Sequence, residues 1–447
     1  MVKKIVAPVK HDCTDLLGRF LDEKHYDTVV DYDCDFYVPP NCDIASALDC
    51  GAGKDCGSCE RGISEERVAF KLRKNYFSQE EQLAAYYGLK PAATVSNNRG
   101  TAAGLERVGT SGNRVYVTEF QEAVLKFFSK PYLTVTGDNP LDDILRKREV
   151  LSAKNCANVW LNSKIIDFEA WINQTRELPA EAQKQAARDL MENNISSTTY
   201  ANAVNSGIAG AFGRVPRIPY GRLAAFNERN AEGFAKSFPF LRTLDEAFKE
   251  LLPAKYGRQR KFVDQLDPHF RIDSTVFTTL TVNSRFQTAA HLDAGDYGPG
   301  FSNLTVLSND GNYTGGYLVL PEYRVAINIR PGDLLFVANH TAIHGNTPFV
   351  FGSPESDRVS VVAYAREDLE QLGSWEYEQT RRQFIEGRIA NKEHPDWWER
   401  WNGVSPGCFQ SAEWREFLVK EMGEVAARKS DASLFSAESA NTLDEFF

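Results

Sequence analysis

The chain predicts an α+β fold: a double-stranded β-helix (jelly roll) buttressed by helices, with an N-terminal cysteine-bearing module and C-terminal helices. Three observations predict it. Six short apolar segments separated by tight turns lie between Val276 and Ala365, the pattern of an antiparallel barrel or jelly roll. Amphipathic helical stretches precede them. Eight cysteines are unevenly placed, with Cys34, Cys42, Cys50, Cys56 and Cys59 in one short stretch.

In chain order, residues 1–90 read as an irregular accessory module ending in a helix. Ser78 three residues before Glu81 has the spacing of a capping box. Residues 91–365 form the main domain, with the jelly-roll core over 274–365. Residues 95–104 are a polar, glycine-bearing loop. Thr118–Lys130, Pro179–Met191 and Ala231–Leu252 read as helices, the last stopped by Pro253. Strands follow at Val276–Val282, Asn303–Leu307, Tyr317–Leu320, Val325–Ile329, Leu334–Val337 and Val359–Ala365. Gly315-Gly316 and Pro331-Gly332-Asp333 supply turns. Residues 366–427 return to helix, with Trp397, Trp398 and Trp401, and 428–447 read as a flexible tail.

With 42% hydrophobic and 25% charged residues, the composition is that of a soluble globular protein. No run of 18 apolar residues suggests a membrane span. The start, MVKKIVAPVKHD, has no apolar signal region, so a cytoplasmic location is expected. The net charge of −10 argues mildly against a nucleic-acid partner, yet Arg214–Phe262 holds seven Arg and four Lys against five Asp or Glu.

The chemistry centres on His291-Leu-Asp293 and His344. Two histidines and one carboxylate are the minimal protein ligands of a non-haem Fe(II) centre. Residues two apart on a strand face the same side. A jelly roll can fold the next 53 residues back so that His344 lies beside them. Gly345 allows a tight turn there. His340 competes with His344 as third ligand; His344 is favoured because the strand Leu334–Val337 has ended before His340. His11, His25, His269 and His394 have no partner pattern. Arg358 opens an apolar strand, and its fork suits a carboxylate; Ser360 faces the same side. Cys50, Cys56 and Cys59, with Cys42 or Cys34, match a four-thiolate zinc site, with a set of free cysteines the alternative.

The text around these residues resembles the TET/JBP branch of the iron and 2-oxoglutarate-dependent dioxygenases, above all its bacteriophage-type members. The likeness lies in Thr281–Asp296, Gly315–Tyr323, Pro331-Gly-Asp-Leu-Leu335 and His344–Pro348. It is dense from Ser274 to Arg366, looser from Val95 to Arg260, and absent from 1–90. The resemblance implies Fe(II) at His291, Asp293 and His344, and 2-oxoglutarate held at its distal carboxylate by Arg358 with Ser360. It implies roles facing co-substrate or substrate for Asn283 and Arg285, and a pocket rim at Asp296 and Asn303. The implied reaction hydroxylates the 5-methyl group of a pyrimidine in DNA, releasing succinate and CO2. 5-Methylcytosine is the favoured base and thymine the alternative. The base would be flipped out, with the 214–262 cations holding the backbone. Competing readings are an oxygenase of the same fold acting on a protein side chain or metabolite, and a non-catalytic jelly-roll binding module. The C-terminal Leu443-Asp-Glu-Phe446-Phe447 resembles the peptides that dock on sliding clamps.

Overall fold

The computed structural model describes residues 2–38, 65–96, 99–104, 203–215, 218–391 and 408–435, the backbone of a strand pair within 158–167, and a few single positions. The expected helix Thr118–Lys130, nearly all of Pro179–Met191, Trp397, Trp398, Trp401, His394, Cys42, Cys50, Cys56, Cys59 and the end of the chain, Leu443, Phe446 and Phe447 included, lie outside the described residues. The chain divides into two compact units. One comprises Met1–Glu106, Ala203–Arg214 and Gly221–Glu378; the other comprises Arg107–Asn202, Val215–Tyr220 and Gln379–Phe447.

The strands are β1 (Lys3–Val6), β2 (Thr28–Val30), β3 (Cys34–Tyr37), β4 (Val68–Arg73), β5 (Val95–Ser96), β6 (Asn158–Leu161), β7 (Lys164–Asp167), β8 (Val204–Phe212) and β9 (Arg222–Leu223). They continue with β10 (Thr279–Ser284), β11 (Ser302–Leu307), β12 (Tyr313–Gly315), β13 (Leu318–Leu320), β14 (Val325–Ile327), β15 (Leu334–Val337), β16 (Gly345–Asn346), β17 (Phe349–Phe351) and β18 (Val359–Tyr364). In the first unit the larger sheet runs β1-β3-β4-β15-β11-β18-β10-β8-β5, with β9 on β8. A smaller sheet runs β16-β13-β14-β2, and β12 pairs with β17. This is the expected mixture of jelly-roll sheets and helices.

Alternation along β18 explains how one strand serves two environments. Val359, Val361 and Ala363 join the core beneath the helices. Arg358, Ser360, Val362 and Tyr364 line a cavity on the other face. The helix side is built by α1 (Gln79–Leu89) and, further on, α4 (Phe238–Leu251). The capping box of α1 forms as its spacing predicts: Glu81 N–H donates to the Ser78 hydroxyl, and Ser78 N–H donates to the Glu81 carboxylate. Phe240, Leu241, Leu244, Ala247 and Phe248 recur at helical spacing on the buried stripe of α4. Phe248 meets Phe336 of β15 at 5.7 Å between ring centroids.

Several expectations are corrected. Residues 1–90 are not a separate module where they are described: β3 and β4 extend the larger sheet beside β15, and β2 pairs with β14. The apolar alternation of short strands needs partners, and these strands find them in the core. Cys34 is fully buried in β3 within an apolar cluster, where burial pushes its thiol up to about 11; the other cysteines of the expected zinc set lie outside the described residues. The helix Ala231–Leu252 is split into α3 (Ala231–Ala235) and α4, following α2 (Ala225–Arg229). Pro239 lacks an N–H and suits only a first turn, so a new helix starts there. Pro253 likewise opens α5 (Pro253–Val263) while ending α4. Strand β8 went unread because glycine dilutes its pattern. Gly207 there lies so close to Ala92 that an added Cβ would sit 1.8 Å from its carbonyl oxygen.

In the second unit, the C-terminal part of α6 (Trp375–Ala390), the 3-10 turn Cys408–Gln410 and α7 (Ala412–Met422) bear the aromatic cluster Phe384, Phe409, Trp414 and Phe417. Trp414 is fully buried. The segment read as a tail from 428 begins in helix: α8 covers Glu424–Ser430 and a 3-10 turn covers Ala432–Phe435, with Leu434 buried.

Candidate metal and dicarboxylate site

Backbone pairing sets the site. His291 N–H donates to the His344 carbonyl at 2.9 Å and His344 N–H donates to the His291 carbonyl at 3.0 Å. The two residues are thus a directly opposed antiparallel pair, with side chains on one face. His291 lies on this single bridge, not on a regular strand as expected. Its segment is held from the N-terminal side as well: Gly18 N–H donates to Ala290 O, Ala290 N–H to Arg19 O and Ala289 N–H to Ala102 O, each at 2.8 Å. Gly345 makes no turn. It opens β16, where an added Cβ would lie 3.0 Å from the Ala289–Ala290 backbone.

The side chains converge. One ligand atom each from His291, Asp293 and His344 falls within 4.8 Å of the others. His291 Nε2 is 3.3 Å from Asp293 Oδ1, and His344 Nε2 is 3.8 Å from Asp293 Oδ2. Donors around one ion at about 2.0–2.2 Å are spaced on this scale. Each histidine directs Nδ1 at the carbonyl two residues before it, Ala289 at 2.8 Å and Ala342 at 3.0 Å. An Nδ1–H donated there turns each Nε2 toward the cluster. Burial, then the charge of His291, holds the His344 imidazole down to about 4. Burial opposes the Asp293 carboxylate, but hydrogen bonding from His291 and the charge of His344 outweigh it, so it ionises below its usual range. Burial is likewise outweighed at His291 by the bond to Asp293, which holds its imidazole above the usual value, so a cation taken up by the cluster would displace a proton there. His340 is outside the cluster.

The cluster opens into a cavity of about 490 Å³ that also contains Arg358, Ser360 and Asn283 in its wall. Arg358 is 2% exposed. Among the described residues no carboxylate pairs with its guanidinium; its Nη2 reaches only Gly316 O at 3.4 Å, and its Nε has no partner. The rings of Tyr313 and Phe349 lie about it, with centroids 6.0 and 5.8 Å from Cζ. A buried cation without a counter-ion is costly, and this one adjoins a cavity large enough to supply an anion.

Other expected residues divide. Asp296 lines the cavity, accepts from Ser302, and is pushed up by burial and by the Asp293 charge. Asn303 is buried within β11, where its amide donates to Phe301 O and Ala363 O, so it forms no rim. Arg285 also turns away: it bonds the carbonyls of Pro354 and Ser356 and stacks on Phe351. In the basic stretch, Arg214, Arg242, Arg258 and Arg260 each pair with a protein carboxylate. His25 and His269 pair with Asp22 and Asp267. Reading from sequence missed Arg99, Thr288, Asn346, Tyr364 and Arg366, all in the cavity wall. Tyr364 and Arg366 were within reach, since they continue the alternation that starts at Arg358. Arg99 carries no such signal.

Comparison with known proteins agrees with this geometry. Residues 217–367 match the family model Tet_JBP, described as the oxygenase domain of the 2OGFeDO superfamily. The chain is 37% identical over 146 residues to the bifunctional helicase and thymine dioxygenase JBP2 of Trypanosoma brucei brucei (strain 927/4 GUTat10.1), covering 32% of this chain and 13% of that protein. It is 33% identical over 204 residues to the thymine dioxygenase JBP1 of Trypanosoma brucei brucei, covering 43% of this chain and 24% of that protein. The chain therefore spans a quarter or less of the length of these two relatives. The solved structure of NgTET1 in complex with 5mC DNA is 18% identical, with a TM-score of 0.33, over 41% of this chain and 68% of that one. Fe(II) and 2-oxoglutarate are the cofactors of the 2OGFeDO superfamily, and the His-Asp-His cluster and free arginine suit them. The chain carries, over residues 217–367, an oxygenase domain of the Tet_JBP family.

Proposed function

We propose that this chain hydroxylates the 5-methyl group of a pyrimidine in DNA, using Fe(II) held by His291, Asp293 and His344 and 2-oxoglutarate anchored by Arg358 and Ser360. One observation carries the co-substrate reading: a fully buried, unpaired arginine shares a cavity with the three-ligand cluster. When bound, Fe(II) and 2-oxoglutarate would, with O2 as the oxidant, supply the power that turns a C–H bond into C–OH: one oxygen atom enters the hydroxyl, the other enters succinate, and CO2 is released.

The chain's own residues do the rest. Ala289 O and Ala342 O fix the ring orientation of the two histidines. The Arg358 fork receives the distal carboxylate, and burial around it excludes water that would compete. A methyl group on a stacked base cannot reach such a recessed cluster, so the nucleotide must leave the stack, at a cost of a few kcal/mol. The relatives described above are named thymine dioxygenases, which sets thymine beside 5-methylcytosine as the base to test.

The test incubates the protein with Fe(II), 2-oxoglutarate and DNA containing both bases, then digests to nucleosides for mass spectrometry. A hydroxymethyl product from either base, absent with His291→Ala, is expected. Succinate formed without any hydroxymethyl base would reject DNA in favour of a protein or metabolite substrate.

A further inference from the structure

Asp357 immediately precedes Arg358 and is 2% exposed. Its carboxylate accepts the Arg358 backbone N–H at 2.8 Å, the Ser284 hydroxyl at 3.1 Å and the Tyr86 hydroxyl at 3.1 Å. The Lys90 ammonium lies 2.8 Å from it and the Arg285 guanidinium 3.6 Å from it. Lys90 also donates to the Tyr86 hydroxyl at 2.8 Å. The peptide around it is clamped too. Asp357 N–H donates to the Asn309 side chain at 2.9 Å, Ser308 donates to Asp357 O at 2.6 Å, and Arg285 N–H donates to Arg358 O at 2.9 Å.

The missing contact is the informative one. A buried carboxylate beside a buried arginine has strong reason to pair with it, and pairing would consume the fork. Here other donors occupy the carboxylate instead. Burial works against its charge, but the bond and charge of Lys90, with the Arg358 N–H and Ser284, outweigh it, so the group ionises below its usual range.

Resting on the co-substrate reading of Arg358 above, we infer that Asp357 is a positioning residue for 2-oxoglutarate. It fixes the Arg358 backbone while Tyr86, Lys90 and Ser284 hold its charge away from the guanidinium, which stays free for the distal carboxylate. The donors Tyr86 and Lys90 come from α1 and the turn after it, so an N-terminal segment tunes the co-substrate end of the cavity.

The test measures binding to the full-length Fe(II) protein by anaerobic calorimetry, with two ligands. One is 2-oxoglutarate; the other is 2-oxobutanoate, which keeps the keto acid and lacks the distal carboxylate. Asp357→Asn is expected to weaken 2-oxoglutarate about tenfold and to leave 2-oxobutanoate within about twofold. Equal weakening of both ligands, or of neither, overturns the inference. If Asp357→Asn does not fold, Tyr86→Phe carries the same test, with about threefold selective weakening expected. A wild-type protein that binds both ligands alike overturns the reading of Arg358 and this inference with it. A wild-type preference that the variants keep in full overturns the inference alone.

Discussion

Two stretches wall the same cavity and do different work. Residues from Thr281 to Arg366 contribute the side chains with chemical character: the His-Asp-His cluster, Arg358, Ser360 and Asn283. The N-terminal stretch up to Gly104 contributes mainly backbone bonds and packing. Gly18, Arg19 and Ala102 bond the segment that leads into His291, and Leu21 packs on Ala290, Val319, Ala326 and Ile343. Chemistry concentrates in few atoms that must face open space, whereas support is spread over many atoms that must not. Damage to the two stretches should therefore differ in kind.

The largest effect is expected from His291→Ala. Turnover should fall by more than the about 10- to 100-fold that loss of an outer partner of a metal ligand costs, because a ligand itself is gone. The fold should persist, since the His291–His344 bonds are made by backbone. Product formation by mass spectrometry and a melting curve check this together. A variant that loses activity by unfolding would erase the contrast between the stretches.

Leu21→Ala should give the opposite pattern. Leu21 is 1% exposed, and truncating a buried leucine costs about 2–5 kcal/mol. A denaturant titration should show that loss, while turnover per folded molecule well below the melting temperature stays near wild type. Unchanged stability would mean that the N-terminal stretch is as dispensable as an accessory module.

That contrast also explains what could be read from sequence. The grouping of His291 with Asp293 and of Arg358 with Ser360 was legible from local rules, spacing of two along an extended chain and an arginine opening an apolar strand, whereas His344, 53 positions on, was reached only through the jelly-roll pattern. The strands near them were legible for the same reason. The place of β3 and β4 in the larger sheet was not, because pairing of Val68–Arg73 with β15 joins residues more than 250 positions apart and leaves no local mark, and Cys34–Tyr37 reaches the sheet only through its pairing with β4. Arg99 entered the cavity wall equally unannounced. Asn303 and Arg285 were misassigned because proximity in sequence to the cluster was taken for orientation; Asn303 spends its amide on backbone carbonyls and Arg285 on the turn before Asp357.

Asp357 joins the two stretches, and pH offers the finest probe of that join. Burial would raise its pKa, but the bonds from Lys90, the Arg358 N–H and Ser284 override burial and lower it. The unfolded chain, titrating near about 3.9, then takes up this proton before the folded protein does. The stability contributed by the ionised group is complete above that value and is lost as pH falls through the lower folded value. Asp357→Asn should thus be less stable than wild type by about 1–3 kcal/mol near neutral pH, and the gap should narrow as pH falls below about 3.9. Melting curves of both proteins across that range check it. A gap that stays constant with pH would mean that the carboxylate serves only by its shape, and that the N-terminal donors Tyr86 and Lys90 are not holding a charge in place beside Arg358.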